Sequence, residues 1–219
     1  MRFEEICELL ISNGDEARAA KMRSYMRDKF PFLGVPSPMR KALCSPYIKE
    51  LKKLDPGVSW GFVDLCWERE HREFQYAAND YLAAVKTRVG PGDIPRLKRL
   101  IVTKSWWDTV DALDVVVGDA VLRCPELGGV MLAWSADENI WLRRAAIDHQ
   151  LSRRDKTDTE LLERIIVNNL GRKEFFINKA IGWSLRDYGK TDPEWVRGFI
   201  GRYGGDMARL SVSEAGKYL

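Results

Sequence analysis

One carboxylate, two bases and two indoles stand at matching places along this 219-residue chain. Asp111, Arg144 and Lys179 each immediately precede an alanine, within TVDALD, LRRAAID and INKAIGW. Trp107 lies four residues before Asp111 and Trp183 four after Lys179, so on helices each indole shares a face with its charged neighbour. An indole face attracts cations, by ~0.5–2 kcal/mol depending on desolvation. Two indoles flanking a carboxylate therefore suit a ligand that is positively charged or becomes so during reaction. Arginine and lysine suit phosphate oxygens, and arginine can bind them bidentately. Together these residue types describe a cationic base or sugar held beside a phosphodiester. A nucleobase that is already cationic, such as an N-alkylated purine, is a good leaving group. What remains is to stabilise the developing oxocarbenium ion and to place a water, which one carboxylate does electrostatically. Asp111 fits that role, and a plain ion pair between Asp111 and Arg144 fits the same spacing.

The elements that must position these residues read as helices nearly throughout. Apolar residues recur at i, i+3 and i+4 in FEEICELLI, VSWGFVDLCW, PRLKRLIV and ELLERIIVNNL, and alternating strand patterns are missing. Ser37-Pro38 and Asp192-Pro193 place a capping side chain before a proline at the first helical position, and Asp93, Asn139 and Asp158 are candidate N-caps. About a dozen helices of ~10–17 residues are expected. Ala78, Ala112, Ala145 and Ala180 are separated by 34, 33 and 35 residues. Between them lie second helical patterns at 93–103, 125–135 and 158–170, with another at 193–203. The unit is a helix pair of about 34 residues, which predicts an all-α, HEAT-like helical-repeat solenoid with a concave face, a single domain over 1–219 of about six helix pairs. A last helix near 207–218 is expected to cap the stack.

Composition removes other classes. The net charge of +3 is too small for a protein that binds by charge alone. Its distribution is more informative, with +3 over residues 1–57, −4 over 58–140 and +4 over 141–219, so basic flanks enclose an acidic middle. Cys7, Cys44, Cys66 and Cys124 lie far apart without metal-ligand spacing, which predicts reduced, mostly buried thiols and neither a zinc site nor a disulfide framework. With only His71 and His149, a Ser-His-Asp or Cys-His system has few ways to exist, and a surface or capping histidine is the simpler reading of each. No GxGxxG or Walker-type phosphate loop is present. The N-terminus MRFEEICELL is acidic, and no stretch approaches the roughly 18 apolar residues of a membrane span, so a cytoplasmic protein is expected.

FPFLGVPSPMR (30–40), KSWWDTVDAL (104–113), WLRRAAI (141–147) and KEFFINKAIGWSLRDYGKTDP (173–193) closely resemble the AlkD-type DNA alkylation repair family of HEAT-like-repeat DNA glycosylases. The resemblance runs from about Tyr25 to Pro193. It implies that Asp111 is the catalytic carboxylate, that Trp107 and Trp183 line the lesion and contact its deoxyribose, and that Arg144 contacts the DNA backbone near the lesion. Tyr25 matches a residue near DNA. Lys179 and Arg186 are weaker candidates for phosphate contacts, with plain surface charge as the other reading. Phe175-Phe176 also match the family but read as core. One departure is Pro36, where the family carries a polar residue near the DNA, so a side-chain hydrogen bond is lost there.

The expected activity is that of a monofunctional DNA glycosylase. It would hydrolyse the N-glycosidic bond of cationic N3- or N7-alkylated purines to leave an abasic site, without the tight base-flipping pocket most such enzymes need. No cofactor or metal is implied; the partner is double-stranded DNA with alkylated bases, and the protein is expected to be a monomer. A non-catalytic HEAT-repeat DNA-binding protein and a protein-binding scaffold are the alternatives. They differ in whether base release, DNA affinity alone or neither is measured.

Overall fold

The computed structural model describes residues 3–219. Among these the chain forms thirteen α-helices and no strand, joined by short turns that include several single 3-10 turns. This is the expected all-α helical-repeat fold. No described helix is long and apolar enough to cross a membrane. The contacts divide the chain into two compact units, the division falling between Val89 and Gly90.

The first unit contains α1 (Phe3–Ser12), α2 (Glu16–Tyr25), α3 (Ser37–Leu54), α4 (Trp60–Glu68) and α5 (Arg72–Val85). Its core centres on Phe62, whose ring lies 5.3 Å from Tyr47, 5.4 Å from Tyr81 and 6.0 Å from Phe3. The buried Tyr81 hydroxyl accepts a 2.7 Å hydrogen bond from the Ser59 amide, which fixes the turn into α4. The Phe30–Pro36 connection is held by a buried acid on α5. Glu73 accepts hydrogen bonds from the amides of Leu33 (3.0 Å), Gly34 (2.8 Å) and Val35 (3.2 Å). Gly34 has φ +88°, and a Cβ there would lie 2.0 Å from the Asp15 carbonyl oxygen, so only glycine fits. Beside it the fully buried Arg72 guanidinium lies 3.8 Å from the Phe30 ring centre.

The second unit contains α6 (Ile94–Val102), α7 (Trp107–Arg123), α8 (Gly128–Ser135), α9 (Ile140–Asp148), α10 (Thr159–Val167), α11 (Phe175–Tyr188), α12 (Pro193–Tyr203) and α13 (Arg209–Ala215). Helices α7, α9, α11 and α13 lie side by side, and α6, α8 and α10 pack behind them. The alanine register places Ala78, Ala112, Ala145 and Ala180 in α5, α7, α9 and α11, and Ala78, Ala145 and Ala180 are wholly buried. Small residues let neighbouring helices close. A Cβ on Gly118 would meet the His149 carbonyl oxygen at 2.1 Å, and one on Gly182 would meet Glu214 Cβ at 2.5 Å.

Three expected caps form as read. The side chains of Asn139, Asp158 and Asp192 accept from the amides of Trp141, Leu161 and Trp195, each at 2.9 Å. Two do not. The Asp93 carboxylate turns back to the Gly90 amide (2.9 Å), closing a 3-10 turn ahead of α6. Ser37 is already helical and Pro36 holds the cap position, because the fixed extended backbone of Pro36 sets up the helix without a side-chain acceptor. Cys7, Cys44 and Cys66 are buried free thiols, and Cys124 is a partly exposed one.

Candidate functional site

Helix α7 begins at Trp107, directly after an aromatic layer in which Trp106, Trp141 and Phe176 meet with ring centres 5.0–5.6 Å apart. That layer joins the first turns of α7, α9 and α11, and it sets the height of the residues above it. Phe176 is thus packed into this layer but only half-buried, and the Phe175 ring is more than half exposed, contrary to the expectation that both are core.

One turn along α7, Asp111 reaches across to α9. Arg144 Nε donates to Asp111 Oδ1 at 2.7 Å and Nη2 donates to Oδ2 at 2.8 Å, a side-on bidentate pair. The third nitrogen, Nη1, donates to the Phe176 carbonyl oxygen at the start of α11 (2.8 Å). Arg144 is 1% exposed, while the Asp111 side chain keeps 27% of its surface open. The bidentate geometry therefore fixes the carboxylate plane with an accessible side. The guanidinium is engaged from α7, α9 and α11 together, so its donors serve the site's interior before they serve any ligand.

Trp183 lies against Arg144, with the guanidinium carbon 5.4 Å from its ring centre. Lys179 lies over the same indole at 5.3 Å and near the exposed Phe175 ring at 5.8 Å. Asp111, Arg144, Lys179 and Trp183 thus form one connected set across three neighbouring helices, and Trp107 stands one turn before Asp111 on its helix. Arg186 does not join the set. It turns to α13, where Nη1 pairs with Glu214 Oε2 at 2.5 Å. Tyr25 lies in the first unit, 71% exposed at the end of α2.

Beneath Asp111 are two acids that the sequence reading passed over. Asp114 and Asp148 are each 2% exposed, and an oxygen from each of Asp111, Asp114 and Asp148 lies within 4.8 Å of the others. Arg144 Nη2 is 3.5 Å from Asp148 Oδ2, close enough for an ion pair but without a hydrogen bond. Burial, reinforced by the charges of Asp148 and Asp111, pushes the Asp114 carboxyl well above the usual carboxylate range against the pull of Arg144. Burial likewise pushes Asp148 up to about 7, again opposed by Arg144. Burial disfavours charge on Arg144 too, but the Asp111 hydrogen bonds and the surrounding carboxylates outweigh it and hold the guanidinium protonated. The signal was available in the spacing. Asp114 is i+3 from Asp111 and Asp148 is i+4 from Arg144, so both continue the same helix faces inward.

The histidines contribute nothing to this set. His71 precedes α5 and its side chain makes no capping hydrogen bond, whereas His149 is buried rather than on the surface and holds the C-terminal capping position of α9. The His149 Nδ1 lies 2.6 Å from the Ala146 carbonyl oxygen, and burial together with nearby Arg153 lowers its pKa to about 3.

An open-sided carboxylate, held by an arginine against which an indole lies, can stabilise positive charge on a ligand lying against it. Comparison with known proteins gives the family. Residues 6–219 match the family described as DNA alkylation repair enzyme. A solved structure described as a predicted DNA alkylation repair enzyme from Enterococcus faecalis is 34% identical, with a TM-score of 0.85 over 94% of this chain and 96% of that one. No curated protein matches. With the family matched over nearly the whole length and the fold shared end to end, the chain belongs to the DNA alkylation repair enzyme family.

Proposed function

We propose that this repair protein is a monofunctional DNA glycosylase that releases cationic N3- or N7-alkylated purines and leaves an abasic site. The observation that carries the reading is the open side of Asp111 in its bidentate pair with Arg144. A carboxylate so fixed needs no reorganisation to face an oxocarbenium ion, which is where electrostatic catalysis gains most. Trp107 and Trp183 line the lesion and its sugar. Arg144 serves the DNA interface by orienting Asp111, Lys179 offers a cation to the backbone beside the lesion, and Tyr25 and Arg186 contact DNA outside the reacting set. The alkylated base leaves as a neutral purine, so no strong general acid and no deep pocket are required. The chain works as one HEAT-like repeat domain, a monomer on duplex DNA, with α13 capping the stack.

The test is base release from a duplex containing 7-methylguanine. Wild type should release the base, and Asp111→Asn should slow release at least tenfold, equivalent to ~1.4 kcal/mol of transition-state stabilisation. Equal rates would sink the mechanism. The same Asp111–Arg144 pair also fits a purely structural ion pair in a non-catalytic DNA-binding protein. That reading expects salt-dependent duplex binding with no base release by wild type.

A further inference from the structure

Asp114 and Asp148 form an unusual pair. Both are buried, both lie behind the carboxylate that faces the ligand, and none of their four oxygens accepts a hydrogen bond within the protein. Two ionised carboxylates in such a place would be expensive even with one guanidinium nearby, because desolvation penalises each and they repel one another. The charged groups acting on them are Asp111 on α7 and Arg144 on α9. With all three carboxylates ionised, Arg144 would balance one charge of three. A proton retained within the pair removes one of those charges and supplies the missing hydrogen-bond donor.

We propose that Asp114 and Asp148 together keep one proton that no catalytic step consumes, and that Asp148, acting through Arg144, is a positioning residue which sets the charge Asp111 presents. With a proton on each buried acid, Arg144 is balanced by Asp111 alone and the cluster is neutral. When Asp148 releases its proton to bulk water, Arg144 is shared between Asp111 and Asp148 and the cluster carries one net negative charge. That charge favours a cationic purine and the oxocarbenium ion that follows. The second half of the inference rests on the glycosylase reading, and the first half does not.

The direct readout is carboxyl carbon NMR of the whole protein, titrated from about pH 4 to about pH 9. Asp148 should titrate near neutrality, as its burial implies, with Asp114 still protonated through that transition. Midpoints for both carboxyls in the ordinary range near 3.9 would overturn the retained proton, whatever the activity, and such a midpoint for Asp148 alone would overturn its role as the switch. Stability gives a second readout. An acid whose folded pKa is raised adds most stability below its unfolded value, and that contribution disappears as pH rises through the folded one. Asp148→Asn should therefore gain on wild type between about pH 4 and about pH 7 and keep a constant lead above. The opposite slope from His149, whose folded pKa is lowered, is common to both proteins and cancels in the difference.

For base release, wild type should accelerate about tenfold with rising pH through the Asp148 transition. Asp148→Asn should be flat and resemble wild type at the acidic end. An unchanged pH profile in Asp148→Asn, with NMR near neutrality, would overturn the link to Asp111. If wild type releases no base at any pH, the glycosylase reading fails and the NMR midpoint still decides the shared proton.

Discussion

The two units each bury acidic side chains, and they treat them in opposite ways. Glu73 in the first unit is wholly buried and accepts from three consecutive-residue amides, so its charge is spread over the backbone it organises. Asp114 and Asp148 in the second unit are as deeply buried and accept from nothing. Backbone donors around a carboxylate stabilise its charged form, whereas an unsatisfied buried carboxyl costs stability. The first acid is a structural clamp. The second pair is held in place by the approach of α7 and α9, which is the arrangement expected where a site's chemistry is kept at the expense of stability.

That contrast can be broken at its stronger end first. Glu73→Ala should cost about 3–5 kcal/mol, since three buried amides lose their acceptor at ~1–3 kcal/mol each with partial relaxation. Urea unfolding measures it, and a loss below about 1 kcal/mol would remove the distinction between clamp and site. Gly118→Ala comes next. Its methyl meets the His149 carbonyl oxygen and should cost about 2–3 kcal/mol by pushing α7 from α9. Base release should fall with it, because Asp111 and Arg144 sit on those two helices. Activity retained alongside lost stability would show that the pair does not depend on that crossing.

Arg186→Ala is the smallest. Its partner Glu214 is on α13 and the pair is partly exposed, so the effect on stability should be ~0–1 kcal/mol. If Arg186 also reaches a phosphate, the slope of log affinity against log salt should fall by about one. An unchanged slope confines Arg186 to the ion pair with α13.

Much of this was legible in the sequence because it depended on period. The small-residue register from Ala112 to Ala180 gave the neighbouring helices of the second unit, and neighbouring helices brought Asp111 beside Arg144 and Lys179 beside Trp183. What was not legible depended on which polar residues the packing encloses. Asp114 and Asp148 look like ordinary helical acids, since their spacing fits an exposed ion-pair face as well as a buried one. Glu73 looks the same, and its three donors come from a segment some forty residues away. Arg186 shares a helix with Trp183, yet its direction is decided by Glu214 on α13. Ser37 and Asp93 failed as caps because a proline and a tight turn had already satisfied or redirected those helix starts.

Helical repeats are ordinarily interchangeable parts, and whole units can be duplicated or removed with little harm to their neighbours. Arg144 forfeits that freedom here, because it sits on α9 while its three nitrogens bond to α7 and α11. One extra helix pair between α7 and α9 would separate Asp111 from Arg144 by about 8–10 Å, the spacing of packed helices. The stack would survive such an insertion and the site would not. This part of the chain can grow or shrink only beyond those three helices, which confines evolutionary and engineered changes of length to its outer repeats.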